Sequence, residues 1–268
     1  MAYLHVNFYS EVLGMNTAMN VLLPQRTRSK IHDDPDGRNH YPVLFLLHGM
    51  SDDYTGWIRY TNIERYAEEK DIAVIMPDAG LSWYADMAQG YAYRRFIGEE
   101  LVALVHRMFP GISQKYEDTW ITGNSMGGYG ALSVGLTYPE TFSKIGAIAP
   151  GCSPDGFFPG GDLCRVIPRS DRFWSDIFGD LSAFKGGKND LAALAKGIVD
   201  TKRPMPQIFQ IVGTKDFFYG CNVEFRDKLH ALGVNPKFEE VPDAYHAWHF
   251  WDEFIQPILN WLTAKEGE

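Results

Sequence analysis

Apolar runs that alternate with helix-like segments are the feature that most constrains the fold of this 268-residue chain. A continuous apolar run such as Val43–Leu47 is typical of a strand buried on both faces of a sheet. Five further segments predict similar strands: Ile72–Asp78, Thr119–Ser125, Lys144–Ala149, Pro206–Gly213 and Pro236–Pro242. The alternation predicts an α/β architecture with a mostly parallel central sheet and helices on both of its faces.

Segments with apolar residues at helical spacing lie between these strands. The predicted helices are Ile58–Lys70, Phe96–Phe109, Met126–Tyr138, Val223–Leu232 and Trp248–Ala264. Near the N-terminus, the partly alternating runs Leu4–Ser10 and Thr17–Pro24 predict an antiparallel hairpin at the edge of the sheet. The polar stretch Thr27–Tyr41 contains Asp-Pro and Asp-Gly pairs and is predicted to be a loop.

One long segment, Cys152–Pro206, interrupts the alternation and is rich in Gly, Pro and Asp. Long excursions of this kind are usually lids or disordered segments, and this one is too aromatic for disorder. We expect a cap, residues 152–206, inserted over the C-terminal edge of the sheet within a single domain of residues 1–268. Open α/β sheets bind ligands at that edge, so aromatic side chains near it are candidate walls of a substrate pocket. These candidates are Trp83, Phe157, Phe158, Phe173, Trp174 and Trp248.

Charge and cysteine usage narrow the classes of partner. The formal net charge is −9 and no run of Lys or Arg is present, which argues against nucleic acid or an anionic membrane as a partner. We expect no signal peptide and no membrane span, because the N-terminal residues lack a charged region followed by an apolar run and no apolar stretch approaches 18 residues. Three cysteines without a C-x-x-C spacing predict reduced thiols, buried or inert, and a cytoplasmic location.

A candidate nucleophile, Ser125, stands in the G-x-S-x-G pattern of Gly123–Gly127. The pattern alone is weakly specific, since ordinary composition produces it by chance in on the order of one chain in ten of this length. Here the serine follows a predicted strand and precedes a predicted helix, which is the context of the nucleophile elbow in the α/β-hydrolase fold. The flanking glycines let the tight turn close, and the helix N-terminus favours a developing oxyanion.

A serine nucleophile needs a base and an acid that orients the base, and in this fold they follow the serine in the order acid, then histidine. Of the three later histidines, His246 lies in the loop after the last predicted strand and is favoured. His249, at the start of the closing helix, is the alternative, and His230 falls inside a helix.

Two carboxylates compete for the role of the acid. Asp216 follows the strand Pro206–Gly213 and is favoured, whereas Asp243 lies only three residues before His246 and is better explained as a turn former. For the oxyanion hole, the sequence predicts the backbone N–H groups of Met126, after the nucleophile, and of Met50, after the first parallel strand. We expect no metal and no cofactor, because no His, Cys and carboxylate cluster has the spacing of metal ligands.

Seven motifs spread over nearly the whole chain carry a family resemblance. They are Ser10–Gly14, Leu47–Met50, Thr61–Glu64, Met76–Asp78, Ser82–Met87, Gly123–Gly128 and His246–Trp251. In these motifs the chain resembles the tributyrin-esterase and feruloyl-esterase group of the esterase D-like α/β hydrolases, near carbohydrate esterase family 1. It is similar, more distantly, to the S-formylglutathione hydrolases. One common form of the family's final motif has Gly where this chain has Tyr245, a change that would narrow an acyl pocket.

The resemblance implies a carboxylesterase that hydrolyses short acyl esters and, in some members, acetyl or hydroxycinnamoyl esters of carbohydrates. It places the family's catalytic residues on Ser125, Asp216 and His246. The expected partner is a small-molecule ester, and association into a homo-oligomer is left open. Two other classes remain: an acyltransferase with the same triad, and a non-catalytic binding module that keeps the fold.

Overall fold

Among the residues that the structure describes, eight strands form one sheet in the order β1-β2-β4-β3-β5-β6-β7-β8. The computed structural model describes residues 1–25, 40–166 and 169–264. The strands are β1 (Ala2–Ser10), β2 (Met15–Leu23), β3 (Val43–Leu47), β4 (Ala73–Pro77), β5 (Thr119–Asn124), β6 (Lys144–Ile148), β7 (Gln207–Gly213) and β8 (Lys237–Val241). Most of the predicted loop Thr27–Tyr41 lies outside the described residues.

The sheet is mostly parallel, as the sequence predicts. Strands β3 to β8 all pair in parallel, and β1 and β2 form an antiparallel hairpin that joins the sheet through β4. The chain goes from β3 to β4 on one side and then to β5 on the other side of β3. Such a reversal opens a crevice at the carboxyl ends of the two strands, which is where ligands bind in open α/β sheets.

Helices cover both faces of the sheet. They are α1 (Gly56–Tyr60), α2 (Ile63–Lys70), α3 (Tyr93–Arg95), α4 (Val102–Met108), α5 (Met126–Thr137), α6 (Asp171–Phe178), α7 (Leu191–Thr201), α8 (Tyr219–Ala231) and α9 (Trp248–Thr263). A hydrophobic core lies on each face of the sheet, and consecutive residues of β3 point into different cores. Phe45 packs in the core that contains α4, α5, α7 and α8, and Leu44 packs in the core that contains α1, α2 and α9. Among the residues described, no helix is long and apolar enough to cross a membrane.

The predicted helix Ile58–Lys70 is two helices, α1 and α2, because the chain is extended at Thr61. The Thr61 hydroxyl donates to the Trp57 carbonyl at 2.5 Å and accepts from the Ile63 N–H at 3.1 Å. A carboxylate from α9, Asp252, accepts from the Asn62 N–H at 3.0 Å. Side chains therefore take over hydrogen bonds that a continuous helix would make within its own backbone.

Two other predicted helices have different boundaries. The predicted Phe96–Phe109 is a longer helical run from Tyr93 to Met108, whose middle, Phe96–Leu101, is wound as a π-helix. The predicted Val223–Leu232 begins earlier, at Tyr219. The first residues of these runs, Tyr-Arg-Arg and Tyr-Gly-Cys-Asn, contain no aliphatic side chain that would extend the apolar helical period, so the sequence pattern detects only the later part.

The described part of the segment 152–206 contains the α-helices α6 and α7 and two short 3₁₀ helices, Pro154–Phe157 and Leu181–Ala183, joined by turns. Helix α7 packs against α5 and α8 and so adds to the layer on one face of the sheet. Helix α6 begins at the cap residue Ser170, whose hydroxyl accepts from the Phe173 N–H at 3.2 Å. The segment lies between β6 and β7, and it brings a cluster of aromatic rings close to the carboxyl edge of the sheet.

Candidate active site

Ser125 occupies a strained turn between β5 and α5, with φ 54° and ψ −120°. Two glycines make the turn sterically feasible. A Cβ on Gly123 would lie 2.4 Å from the Gly127 carbonyl oxygen, and a Cβ on Gly127 would lie 2.4 Å from that of Leu47. Only glycine tolerates such approaches, which confirms the packing reason for the G-x-S-x-G pattern. A non-glycine residue at positive φ is the strain expected of a nucleophile elbow.

The structure brings Ser125, His246 and Asp216 into one hydrogen-bonded chain. The Ser125 Oγ lies 2.9 Å from His246 Nε2, and His246 Nδ1 lies 2.7 Å from Asp216 Oδ2. The Asp216 side chain is fully buried, and its other oxygen, Oδ1, accepts from the Phe218 N–H at 2.8 Å. Both carboxylate oxygens are thus held, so Asp216 fixes the orientation and the Nδ1–H tautomer of the imidazole.

The residues that competed for the roles of acid and base are not part of this hydrogen-bonded chain. Asp243 pairs with Lys215 at 3.7 Å, and its side chain is 85% exposed, although it is close to His246 in the sequence. His249 and His230 are exposed on the helices α9 and α8. Tyr245 is 58% exposed, so most of its ring faces solvent rather than an acyl pocket.

Three aromatic rings enclose the imidazole of His246. Phe217 packs at a centroid distance of 4.5 Å, Phe218 at 5.3 Å and Trp251 at 5.0 Å, the last two edge-on. The sequence reasoning missed these residues. Phe217 and Phe218 directly follow Asp216, so two aromatic residues after a candidate acid were a detectable signal. For Trp251 the sequence offered no signal apart from its place in the closing motif.

The loop after β3 and the start of α5 meet beside the serine. Met126 is the first residue of α5, and the first N–H groups of a helix have no partner within it. Met50 follows Gly49, where a Cβ would lie 3.5 Å from the Ser125 Cβ. The backbone of this loop therefore passes close to the nucleophile, in the region where the sequence predicts the two oxyanion donors.

The buried imidazole of His48 holds this loop in place, and the sequence reasoning missed it. His48 Nδ1 lies 2.8 Å from the Gly49 carbonyl, and His48 Nε2 accepts from the Ala79 N–H at 3.0 Å. The Tyr84 hydroxyl donates to the His48 carbonyl at 3.0 Å. Burial raises the pKa of Tyr84 well above its ordinary value, so this hydroxyl keeps its proton.

The aromatic side chains predicted to wall the pocket are mostly packed together. Trp83, Phe157, Phe158 and Trp174 are buried, and the rings of Phe157 and Trp174 stack at 5.6 Å. Phe173 is half-buried and lines a separate cavity of about 250 Å³ with residues such as Met87 and Tyr91. Trp248 is edge-on against Trp57 and Trp251, and Trp251 in turn contacts the His246 imidazole.

One ring connects the aromatic cluster with the site. Phe218 contacts Phe157 at 5.4 Å and His246 at 5.3 Å. Beside Ser125, a Cβ on Gly151 would lie 2.9 Å from the Trp83 ring and 3.0 Å from the Phe218 ring. The Gly151 N–H itself donates to the Ser125 carbonyl at 3.2 Å. Trp83 and Phe218 therefore approach the backbone immediately next to the serine.

This site and sheet define a class of protein, the serine hydrolases of the α/β-hydrolase fold. The sequence model of the family described as "Putative esterase" matches residues 10–262. An acetyl esterase from Caldicellulosiruptor saccharolyticus is 31% identical over 98% of both chains. Two solved structures from Staphylococcus aureus are similar over 98% of this chain and 99% of theirs. The fluorophosphonate-binding serine hydrolase FphF has 34% identity and a TM-score of 0.87, and the S-formylglutathione hydrolase FrmB has 33% and 0.84.

The chain belongs to this esterase family and is a carboxylesterase-type enzyme. The family resemblance and the fold class predicted from the sequence motifs are confirmed.

Proposed function

We propose that the protein hydrolyses short-chain acyl esters through an acyl-enzyme on Ser125. The observation that carries the proposal is the continuous hydrogen-bonded chain from Ser125 Oγ through His246 to the buried Asp216, with distances of 2.9 and 2.7 Å. Distances of this length are those at which a base takes the proton of a nucleophile.

The proposed reaction has two steps. Ser125 Oγ attacks the ester carbonyl while His246 Nε2 takes its proton, and the N–H groups of Met50 and Met126 bind the oxyanion. Each such donor is worth roughly 3–4 kcal/mol in related chemistry. The alcohol leaves with the proton from His246, and water, activated by the same imidazole, then hydrolyses the acyl-enzyme. Asp216 stabilises the imidazolium in both steps.

The surroundings of Gly151 support a short acyl group. The rings of Trp83 and Phe218 leave no room for a side chain at Gly151, since a Cβ there would lie 2.9 and 3.0 Å from them, beside the nucleophile. Trp83 is only 1% exposed and is held by four other rings of the aromatic cluster, so it has little freedom to move aside. An acetyl group fits beside such rings more readily than a hydroxycinnamoyl group. The acetyl esterase among the relatives supports the same choice.

A short thioester is the second candidate. The acyl group of S-formylglutathione is smaller still, and the similarity to FrmB, which is named as an S-formylglutathione hydrolase, favours it. The same triad serves both reactions, because the alcohol and thiol leaving groups depart from similar tetrahedral intermediates. Transfer of the acyl group to another alcohol uses the same acyl-enzyme, and product analysis with excess acceptor alcohol measures it.

A substrate panel tests the proposal. We expect kcat/KM to fall from nitrophenyl acetate through butyrate to octanoate and to be lowest for methyl ferulate, with S-formylglutathione measured alongside. A fluorophosphonate should label the peptide that contains Ser125, and Ser125→Ala should lose both labelling and turnover while it keeps the wild-type melting temperature. Highest efficiency on methyl ferulate would contradict the short-acyl assignment, and turnover by Ser125→Ala would contradict the nucleophile.

We also propose that the protein acts in the cytoplasm. All three cysteines are free thiols, which is the usual state of cysteine in a reducing compartment. Fractionation of the native host, with the esterase activity as readout, tests this location.

A further inference from the structure

Two cysteines far apart in the sequence meet beside the candidate active site. Cys152 follows β6 in the segment Pro150–Ser153, and Cys221 lies in the first turn of α8. Both cysteines line the same cavity. The amide of Asn222 lies against both sulfurs, with Oδ1 3.7 Å from Cys152 Sγ and Nδ2 3.9 Å from Cys221 Sγ.

The two thiols differ in access. Cys152 is buried, and the Gln210 amide donates to its sulfur at 3.7 Å. Cys221 is partly exposed, and a cavity of about 350 Å³ opens onto the pair between α8 and the segment 152–206. A small oxidant in this cavity would therefore reach Cys221 first, and the second sulfur lies against the same Asn222 amide.

They also differ in acidity. The neighbouring Cys152 thiol lowers the pKa of Cys221. Burial opposes this shift, and the backbone N–H groups of Ser153 and Cys152 support it. Burial raises the pKa of Cys152 well above its ordinary value, and the contact with Cys221 adds to this effect. Because the thiolate is the nucleophile, the accessible sulfur is also the more reactive one.

We propose that Cys152 and Cys221 form a thiol-oxidation site that hydroperoxides convert reversibly into a disulfide. In this pair Cys221 is the attacking thiol and Cys152 the resolving thiol. Such an accessible, low-pKa cysteine next to a second thiol is the arrangement of redox-sensing cysteines.

The chemistry takes two balanced steps. The Cys221 sulfur attacks one peroxide oxygen, the O–O bond breaks, and Cys221 becomes a sulfenic acid as the peroxide is reduced to an alcohol, or to water for hydrogen peroxide. The Cys152 sulfur then attacks the Cys221 sulfur, an S–S bond forms, and the hydroxyl leaves as water with the Cys152 proton. The pair loses two electrons and two protons in total, and a thiol reductant returns them.

The disulfide would disturb the groups around His246 and Ser125, a consequence that rests on the proposed function. A bond of about 2.05 Å would join two sulfurs that are now free thiols, so the segments that carry them must adjust to disulfide geometry. One backbone carries Gly151, whose N–H donates to the Ser125 carbonyl. The other carries Phe218, whose carbonyl accepts from the Cys221 thiol at 3.1 Å and loses that donor on oxidation.

Disulfide mapping on the reduced wild-type protein tests the site without any activity measurement. The protein is treated with hydrogen peroxide, its free thiols are alkylated, and its peptides are analysed by mass. We expect a Cys152–Cys221 cross-link, 2 hydrogens lighter by the stoichiometry above, which a thiol reductant removes. The third cysteine, Cys164, should stay alkylatable and serves as the internal control. Cys152→Ala should accumulate sulfenic acid on Cys221, detected as a dimedone adduct.

Two results would overturn the proposal: Cys152 and Cys221 both alkylated after peroxide treatment, or Cys164 oxidised before either of them.

Esterase activity then tests the coupling between oxidation of this pair and the active site. We expect oxidation to lower kcat/KM about tenfold, equal to about 1.4 kcal/mol in the barrier. Reductant should restore it, whereas methionine oxidation at Met50 or Met126 would not be reversed. Cys221→Ser should be insensitive to peroxide and Cys164→Ser as sensitive as wild type. A cross-link without loss of activity would overturn the coupling alone, and an absence of esterase activity before oxidation would count against the proposed function and not against the thiol site.

Discussion

Among single residues, Asp216 and Asp243 offer a matched comparison, because both lie near His246 and only one contacts it. We expect Asp216→Asn to lower kcat by about 10⁴, the cost of the corresponding change in a serine protease, since an amide stabilises the wrong imidazole tautomer. Asp243→Asn should stay within about twofold of wild type, because its exposed pair with Lys215 is a surface ion pair.

Steady-state kinetics with nitrophenyl acetate measure both effects. Circular dichroism on each variant controls for folding. Equal losses in the two variants, or a larger loss in Asp243→Asn, would show that the hydrogen bond of 2.7 Å between Asp216 and His246 is not what orients the base.

The sequence located the hydrogen-bonded triad because its three members are marked locally. Ser125 lies between glycines, and Asp216 and His246 each follow a recognisable strand. His48 and Phe218 carry no comparable mark, since their importance comes from contacts with residues distant in the sequence, such as Ala79 and His246. Local patterns report local conformation, so partners that only the tertiary fold brings together were missed.

The junction between β3 and α5 leads to a prediction at the scale of elements. A Cβ on Gly127 would meet the Leu47 and His48 carbonyl oxygens at 2.4 and 2.6 Å, so Gly127→Ala must push α5 away from β3. We expect overpacking to lower the free energy of unfolding by about 1–3 kcal/mol and to displace Ser125 enough to remove most of the activity. Chemical denaturation and kinetics measure the two losses.

The matched control is Gly197→Ala in the exposed part of α7. A Cβ there meets nothing within 4 Å, so only helix propensity changes. This variant should gain about 0.5–1 kcal/mol of stability and keep full activity. If both variants gained stability, the close approach of α5 to β3 would not be the constraint that the geometry indicates.

The break between α1 and α2 shows why element boundaries are less predictable than elements. The hydrophobic period continues across Thr61, and the competing hydrogen bonds come from Asp252, which the sequence places in the last helix. We expect Asp252→Ala to cost about 1–3 kcal/mol in the free energy of unfolding. It leaves the Asn62 N–H and the Tyr66 hydroxyl without an acceptor.

The neighbouring variant Glu253→Ala controls for the loss of a negative charge, because Glu253 is exposed on the same helix. Its stability should stay within about 0.5 kcal/mol of wild type. Denaturant titration distinguishes the two variants, and indistinguishable midpoints would mean that Asp252 does not hold the break between the helices.

At the scale of the whole molecule, the aromatic cluster attaches the segment 152–206 to the body. Trp174 is fully buried. It contacts Trp83, which lies in the body, and it contacts Phe157 and Phe178 within the segment. The sequence located these aromatics in one long excursion, but it could not show that they pack against one another. That arrangement depends on how the chain between β6 and β7 folds back over the sheet.

Two adjacent residues of α6 separate packing from pocket formation. Trp174→Ala should lower the free energy of unfolding by about 3–5 kcal/mol, because it removes a large buried ring. Phe173→Ala should cost less than about 1.5 kcal/mol, since Phe173 is half-buried at a solvent-facing cavity. At a temperature where both variants are folded, neither should change the efficiency ratio of nitrophenyl acetate to methyl ferulate by more than about twofold, roughly 0.4 kcal/mol. Specificity is differential binding of transition states, so a larger shift in either variant would place that ring in the substrate pocket rather than in the packing of the segment.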